Sequence, residues 1–166
     1  MGGAVTPMLI EALSRLEELG YRGGVLSSQH LSELQEDIES PHKDGMVDEG
    51  LYDRHLSSFE WKTPDRLPAA RSIFVVSAPD PAVRIIFTWR EKPVPVIVPP
   101  TYLHWRDVDK RVEQAMGDIL KRSGHRVVLA NLPKKLTAVR TGLAAYGKNN
   151  ITYVPGMGSF HRPVVL

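Results

Sequence analysis

The residues best suited to chemistry lie in one block near the end of the chain, Leu132–Arg162. It contains the run GKNN at 147–150 and a second glycine-rich turn at 156–159. Glycine allows close backbone approach to a ligand, asparagine offers donors and an acceptor, and lysine offers a positive charge. Bare N–H groups in such a turn suit a phosphate or a cofactor that carries many amides. The same residue types are usual in a helix C-cap and turn, so both interpretations remain open.

Several familiar site motifs are absent from the sequence. It has neither GxxxxGK[ST] nor a GxGxxG that follows a strand, and it has no GxSxG nucleophile elbow. The six His show no HxxxH or HExxH spacing, so we predict no metal site. With no Cys, the chain itself can form no disulfide, thiol nucleophile or Cys-ligated zinc or iron–sulfur centre.

The rest of the chain must supply a scaffold for this block. Its 166 residues, 42% hydrophobic and 24% charged, are typical of one globular domain. We predict an α+β fold, with one mixed sheet, packed helices and a helical N-terminal extension. Residues 1–66 form a helical, loop-rich part of this single domain, and residues 67–166 form its α/β core.

Hydrophobic periodicity predicts the individual elements. The predicted helices are 8–19, 29–38, a short one near 49–59, 106–121, and one from Pro133 to about 143. The predicted strands of the sheet are 72–78, 83–90, 126–130 and 151–154, with a further short strand at 163–166. The run YRGGVL at 21–26 is predicted to be a turn, and the prolines within 94–102 bar that segment from a central strand position.

Charge is unevenly distributed along the chain. Residues 1–60 hold 4 Lys/Arg and 12 Asp/Glu, which leaves 17 of the 21 bases and 7 of the 19 acids for the rest. This favours either a polyanion-binding face or an acidic part packed against a basic part. The sequence has no bilayer-length apolar run and no signal peptide, so we expect a cytoplasmic protein with no membrane partner.

The sequence TAVRTGLAAYGKNNITYVPGMGSFHR at 137–162 resembles the epoxyqueuosine reductase family and its relatives, which are similar to reductive dehalogenases. These proteins carry a GLxxxGKN motif followed by a GS-containing strand. Three upstream segments also resemble the family: LPAARSIFVVSAP at 67–79, PPTY at 99–102 and LPKKLTAVR at 132–140. The resemblance covers roughly residues 65–166.

The resemblance implies an N-terminal cobalamin-binding region followed by a ferredoxin-like domain with two [4Fe–4S] clusters. The chain ends inside an apolar run, so we expect a fragment that lacks this C-terminal domain. By matching the motif, the expected cofactor-binding residues are Arg140, Gly142, Gly147, Lys148, Asn149, Asn150, Gly158 and Ser159. Reductive dehalogenases use a tyrosine as proton donor, and the corresponding catalytic candidates are Tyr102 and Tyr153, with Tyr146 as a further one.

One departure from the family leaves the substrate open. Epoxyqueuosine reductases carry an acidic residue before the proline that precedes this motif, whereas residues 129–132 contain none. The substrate is therefore either tRNA or a small molecule. The full-length protein is expected to be an oxidoreductase, and the fragment alone is expected to be inactive. The alternatives are a non-catalytic cobalamin or nucleotide carrier and an RNA-binding module.

Overall fold

The computed structural model describes residues 7–100 and 105–166. Their elements confirm the predicted α+β class. The helices are α1 (Pro7–Glu18), α2 (Leu31–Lys43), α3 (Glu49–His55), α4 (Trp105–Lys121) and α5 (Lys134–Arg140). The strands are β1 (Arg22–Ser27), β2 (Ser72–Pro79), β3 (Val83–Trp89), β4 (Lys92–Val98), β5 (Ala145–Tyr146), β6 (Thr152–Tyr153) and β7 (His161–Val165).

A three-stranded antiparallel sheet in the order β1-β2-β7 forms the centre of the fold. Its middle strand, β2, is a nearly continuous apolar run because both of its faces are covered. Since side chains alternate along a strand, Phe74 and Val76 pack on one face, and Ile73 and Val75 pack on the other.

Helices and loops cover the two faces of this sheet with separate hydrophobic clusters. Helices α1 and α4 cover one face, where the buried residues are Ala12, Leu16, Phe74, Val76, Ala78, Val108, Val112, Met116, Leu120, Val164 and Leu166. Helix α5 and the segments around it cover the other, where they are Ile73, Val75, Leu132, Ala138, Ala144, Val154 and Val165. The candidate site therefore belongs to the α5 side of the sheet.

The predicted turn at 21–26 is wrong, because this segment forms strand β1 at the edge of the central sheet. A Cβ on Gly23 would lie 2.6 Å from Leu13 Cδ2, and one on Gly24 would lie 2.5 Å from Thr141 Oγ1. The glycine pair thus lets α1 and the end of α5 approach opposite faces of one strand. The N-terminal part consequently belongs to the core and is not a peripheral extension.

The strands do not form the one mixed sheet that we expected. Within the described ranges they form three sheets, because β3 pairs with β4 and β5 pairs with β6. Residues 126–130 run beside β7, and Ala130 N donates to Val165 O at 3.0 Å, but no strand forms. There, Leu129 N donates to the Glu113 carboxylate instead of to a neighbouring strand.

The β3–β4 pair is a ribbon joined by a two-residue turn. Arg90 and Glu91 both have positive φ, 48° and 63°, which matches the type I′ turn favoured by twisted hairpins. The prolines of β4 are tolerated because each strand of a two-stranded ribbon is an edge. No residue of this ribbon belongs to either buried cluster. None of the described helices is long and apolar enough to cross a membrane.

Candidate functional site

The run GKNN forms the turn of the β5–β6 hairpin. Gly147 N donates to Ile151 O at 2.8 Å, and Asn150 N donates to Gly147 O at 3.1 Å. Asn150 adopts a left-handed φ of 58°, a conformation that asparagine tolerates better than most residues. The Asn149 side-chain oxygen accepts from Ile151 N at 3.2 Å. The run is therefore a hairpin turn and not a helix C-cap, and ligand binding by this turn stays a prediction.

The side chain of Tyr153 explains why residue 147 is glycine. A Cβ at this position would lie 2.5 Å from Tyr153 Cε2, 3.0 Å from Asn149 Oδ1 and 3.3 Å from Ile151 O. The catalytic candidate Tyr153 is 43% exposed, so its ring covers the turn and still meets solvent. The exposed Lys148 side chain has no ion pair or hydrogen bond among the described residues.

Gly142 and Arg140 end helix α5. Gly142 has a φ of 75° and donates its N–H to Val139 O, as a glycine just past a helix end commonly does. Helix α5 is shorter than predicted because the chain turns here. Arg140 forms a bidentate pair with Asp37 of α2, with Nε to Oδ2 at 2.9 Å and Nη2 to Oδ1 at 2.6 Å. The hydrogen bond and charge of Asp37 raise the pKa of Arg140.

Tyr146 stands on β5 next to this ion pair. Burial, and secondarily the charge of Asp37, raise the pKa of the Tyr146 phenol above its ordinary value of 10.0. Its side chain is nevertheless 44% exposed. Tyr146 is therefore a partly exposed phenol that stays protonated at neutral pH.

Gly158 and Ser159 belong to a second turn, at the other end of β6 from GKNN. Val154 N donates to Gly158 O at 3.0 Å, and Gly158 N donates to Val154 O at 2.9 Å. Gly158 has a φ of 62°, so its glycine is required by the backbone conformation. The two predicted binding segments thus lie at the two ends of β6.

His161 links this hairpin to the central sheet, a role that the sequence did not reveal. Its Nε2 lies 3.0 Å from Thr152 O, and its Nδ1 lies 3.1 Å from the hydroxyl of Ser77, which is fully buried on β2. Sequence spacing gives no signal for this contact, because Ser77 and His161 are brought together only by the pairing of β2 with β7.

A cleft of about 600 Å³ opens elsewhere, at the end of the central sheet where Ser28, Ser72 and Leu166 lie. It lies between residues 60–74 and 124–132, and Leu166 contributes to its lining. None of the predicted cofactor residues lines it, nor do any line a second cleft of about 790 Å³ between α1 and α4. Tyr102 lies outside the described residues. Among those described, no group of three or more His, Asp and Glu is placed to hold a metal ion.

The chain matches no family model, no curated protein and no solved structure in the comparisons with known proteins. The geometry of the α5–β7 region and the motif pattern are therefore the observations from which a function can be argued.

Proposed function

We propose that this chain is the cobalamin-binding part of a cobalamin- and [4Fe–4S]-dependent reductase related to epoxyqueuosine reductase. The observation that carries the proposal is the RxGLxxxGKN pattern at 140–149, whose polar turn lies on an open surface with an unpaired cation. The α5 end, the GKNN turn and the Gly158 turn follow one another along a single small unit. A large cofactor could contact all three.

The side chains of this surface suit one face of a corrin. Lys148 offers a free cation to the phosphodiester of the nucleotide tail. Asn149 has its amide nitrogen free, since only its oxygen is bonded to Ile151 N, and it can bind the peripheral amides of the corrin. Partly exposed Tyr146 and Tyr153 add apolar area beside these polar groups.

The proposed surface is open and would contact only one face of the cofactor. Neither cleft described above is formed by these residues, so they would contact only one side of a large flat ligand. The proposal assigns the other side to a ferredoxin-like domain following this part of the protein. That domain would also carry the [4Fe–4S] clusters, for which this chain has no Cys ligands.

Bound cobalamin would supply the electron transfer to the substrate, and the residues of this chain would supply binding and a proton. Lys148 and Asn149 would hold the cofactor, and Arg140, fixed by Asp37, would keep the end of α5 in place. Among the described residues, Tyr153 and Tyr146 are the candidate proton donors. Tyr102 remains a candidate from the sequence alone. The proposed setting is cytoplasmic, with tRNA or a small molecule as substrate.

The experiment is a titration of hydroxocobalamin into the purified chain, followed by its visible spectrum and by calorimetry. Lys148→Gln should weaken binding about tenfold or more, because a hydrogen bond to a charged group is worth about 1.5–3 kcal/mol. Lys92→Gln on the β3–β4 ribbon removes the same charge from a strand that contributes no residue to the proposed surface, and it is the matched control. Gly142→Val and Gly147→Val are expected to abolish binding by distorting the two turns.

The full-length protein decides the outcome, because a following domain would complete the pocket. If full-length protein binds no cobalamin in any redox state, the proposal is wrong. If it binds but Lys148→Gln and Lys92→Gln behave alike, the GKNN turn is only a structural turn. Binding without turnover in a full-length protein that has no cluster domain would indicate the carrier alternative.

A further inference from the structure

The 600 Å³ cleft at the end of the central sheet combines an apolar floor with unpaired cations. Its volume lies within the range of about 300–1,000 Å³ that is typical of small-molecule sites. The floor includes Leu31, Ile73, Leu120 and Val127, contributed by different elements. This composition would remove an apolar ligand body from water.

The positive charges on the wall of this cleft are contributed by two separate segments. Arg71 directly precedes β2, and Arg126 follows the end of α4. Neither of these two side chains has an ion pair or hydrogen bond among the described residues. Several other arginines of the chain are paired, as Arg140 is with Asp37 and Arg162 with Asp80. Unpaired guanidinium groups beside a cleft are therefore available to a ligand.

The backbone holds these two segments in fixed places. Ser28 N donates to Arg71 O at 3.0 Å, and the Ser28 hydroxyl donates to Ala70 O at 3.1 Å, so β1 fixes the Arg71 side. His125 N donates to Leu120 O at 3.1 Å, and Ala130 N donates to Val165 O, so α4 and β7 fix the other side. The cations are thus carried by ordered backbone on both walls.

We infer that this cleft binds a small amphipathic anion, with its apolar body on the floor and its carboxylate or phosphate group at Arg71 and Arg126. Arginine matches both oxyanions because its planar fork donates two parallel hydrogen bonds. The lining also contains Lys62, which is paired with Asp65, the carboxylate of Glu60, and Leu166, whose α-carboxylate is a second negative group in the 166-residue chain. Arg71, Arg126 and Lys62 outnumber these two carboxylates, so an anion is favoured over a cation. The site is separate from the proposed cobalamin surface.

The test uses amide chemical-shift titrations of the isotope-labelled chain with four probes. Octanoate and octyl phosphate carry both the apolar body and the anionic group, octanol carries only the body, and inorganic phosphate carries only the anion. At least one of the two amphipathic anions should bind at least tenfold more tightly than octanol and inorganic phosphate. Whichever of octanoate and octyl phosphate binds more tightly identifies the preferred head group, carboxylate or phosphate. The shifts should involve the amides of residues 69–74 and 124–131.

Variants then assign the anion contact. Arg71→Gln and Arg126→Gln should each weaken the binding of octyl phosphate about tenfold and leave the affinity for octanol unchanged. Arg84→Gln on β3 changes the net charge equally and should have no effect. Ala69→Trp places a large side chain on the wall of the cleft. It should therefore weaken the binding of both the amphipathic anions and octanol.

The inference would be overturned by equal affinity for octanol and octyl phosphate, by arginine variants that match Arg84→Gln, or by shifts confined to the β3–β4 ribbon. If a variant does not fold, its amide spectrum shows this, and the four probes on the unmodified chain still decide. Hydroxocobalamin binding is measured separately. Loss of that binding in Lys148→Gln has no bearing on this cleft.

Discussion

Two β-hairpins of the described chain illustrate opposite ways of placing a turn in a fold. The β5–β6 hairpin is short but anchored: Thr152 is buried and bonded to His161, and Lys135 Nζ donates to Asn150 O at 3.0 Å. The β3–β4 ribbon is longer, with seven residues in each strand, yet none of its residues joins a buried cluster. Strand length alone therefore does not decide which hairpin belongs to the core.

The difference lies in where the apolar side chains of each hairpin meet other elements. Ala144 and Val154 flank the β5–β6 hairpin and belong to the cluster beneath α5. In the ribbon, Ile86, Trp89 and Ile97 are each more than 60% exposed. A candidate ligand surface on the anchored hairpin is held by many interactions, so changes there should alter stability. Comparable changes in the ribbon should not.

The largest effect on this comparison is expected from His161→Ala. The change removes the contacts that join β6 to β2 and leaves the buried Ser77 hydroxyl without its partner. We expect a loss of about 2–3 kcal/mol in the free energy of unfolding, because an orphaned buried polar group costs about 1–3 kcal/mol besides the lost packing. Urea unfolding measures it. His125→Ala, at an exposed and unpaired histidine, is the control, and equal stability of both variants would contradict the anchoring role.

Gly147→Ala is expected to have the next largest effect. The new methyl group would crowd Tyr153 and the Ile151 carbonyl, at a cost of about 1–2 kcal/mol. Gly117→Ala is the matched control: a Cβ there meets nothing within 4 Å, and alanine stabilises a helix interior by up to about 1 kcal/mol. The two glycines should therefore give opposite signs in urea unfolding. Adding Tyr153→Ala to Gly147→Ala should recover part of the loss, and no recovery would assign the loss to Asn149 Oδ1 or the Ile151 carbonyl instead of the tyrosine ring.

The pair Arg140–Asp37 should contribute less, because both side chains are partly exposed. A double-mutant cycle with Arg140→Gln and Asp37→Asn should give a coupling of about 0.5–1 kcal/mol. The coupling should shrink in high salt, since exposed charges are screened. A coupling that is zero at low salt would show that α2 and α5 are not joined by this pair.

These interactions also show how far the sequence could predict the structure. Helices α1 and α4 are predicted well because their apolar residues recur at helical spacing, and strand β2 because it is a continuous apolar run. In each case the local sequence indicates which side chains are buried. Strand β1 is missed because Gly23 and Gly24 are typical of turns, and only the two elements packed against them explain a strand. For the candidate site, glycine and asparagine predict the turns. The partners Asp37 and His161 depend on tertiary contacts that local patterns do not encode.

In the β3–β4 ribbon we expect almost no change in stability. Trp89→Thr and Ile97→Thr alter exposed side chains outside both clusters, and threonine keeps a good strand propensity. Unfolding free energies should stay within about 0.5 kcal/mol of the parent chain. Light scattering should show less association at high concentration, because the exposed apolar area is reduced. A loss above 1 kcal/mol, taken as about twice that surface range, would mean that the ribbon packs on the body of the protein.

The smallest expected effect concerns the pKa of Tyr146, which lies on the anchored β5–β6 hairpin. Burial and then Asp37 raise its pKa above 10.0 in the folded chain. The native state therefore holds this proton more tightly than the unfolded state does. The stabilising contribution is complete below pH 10 and is lost as the pH rises through the folded pKa. In ultraviolet difference titrations, subtracting the Tyr146→Phe curve should isolate a phenol with a midpoint above the ordinary value. Asp37→Asn should lower that midpoint without abolishing the shift, because burial is its larger cause. A Tyr146 midpoint at or below the ordinary value would show that the phenol is neither partly buried nor influenced by Asp37, and would contradict its place in the anchored hairpin.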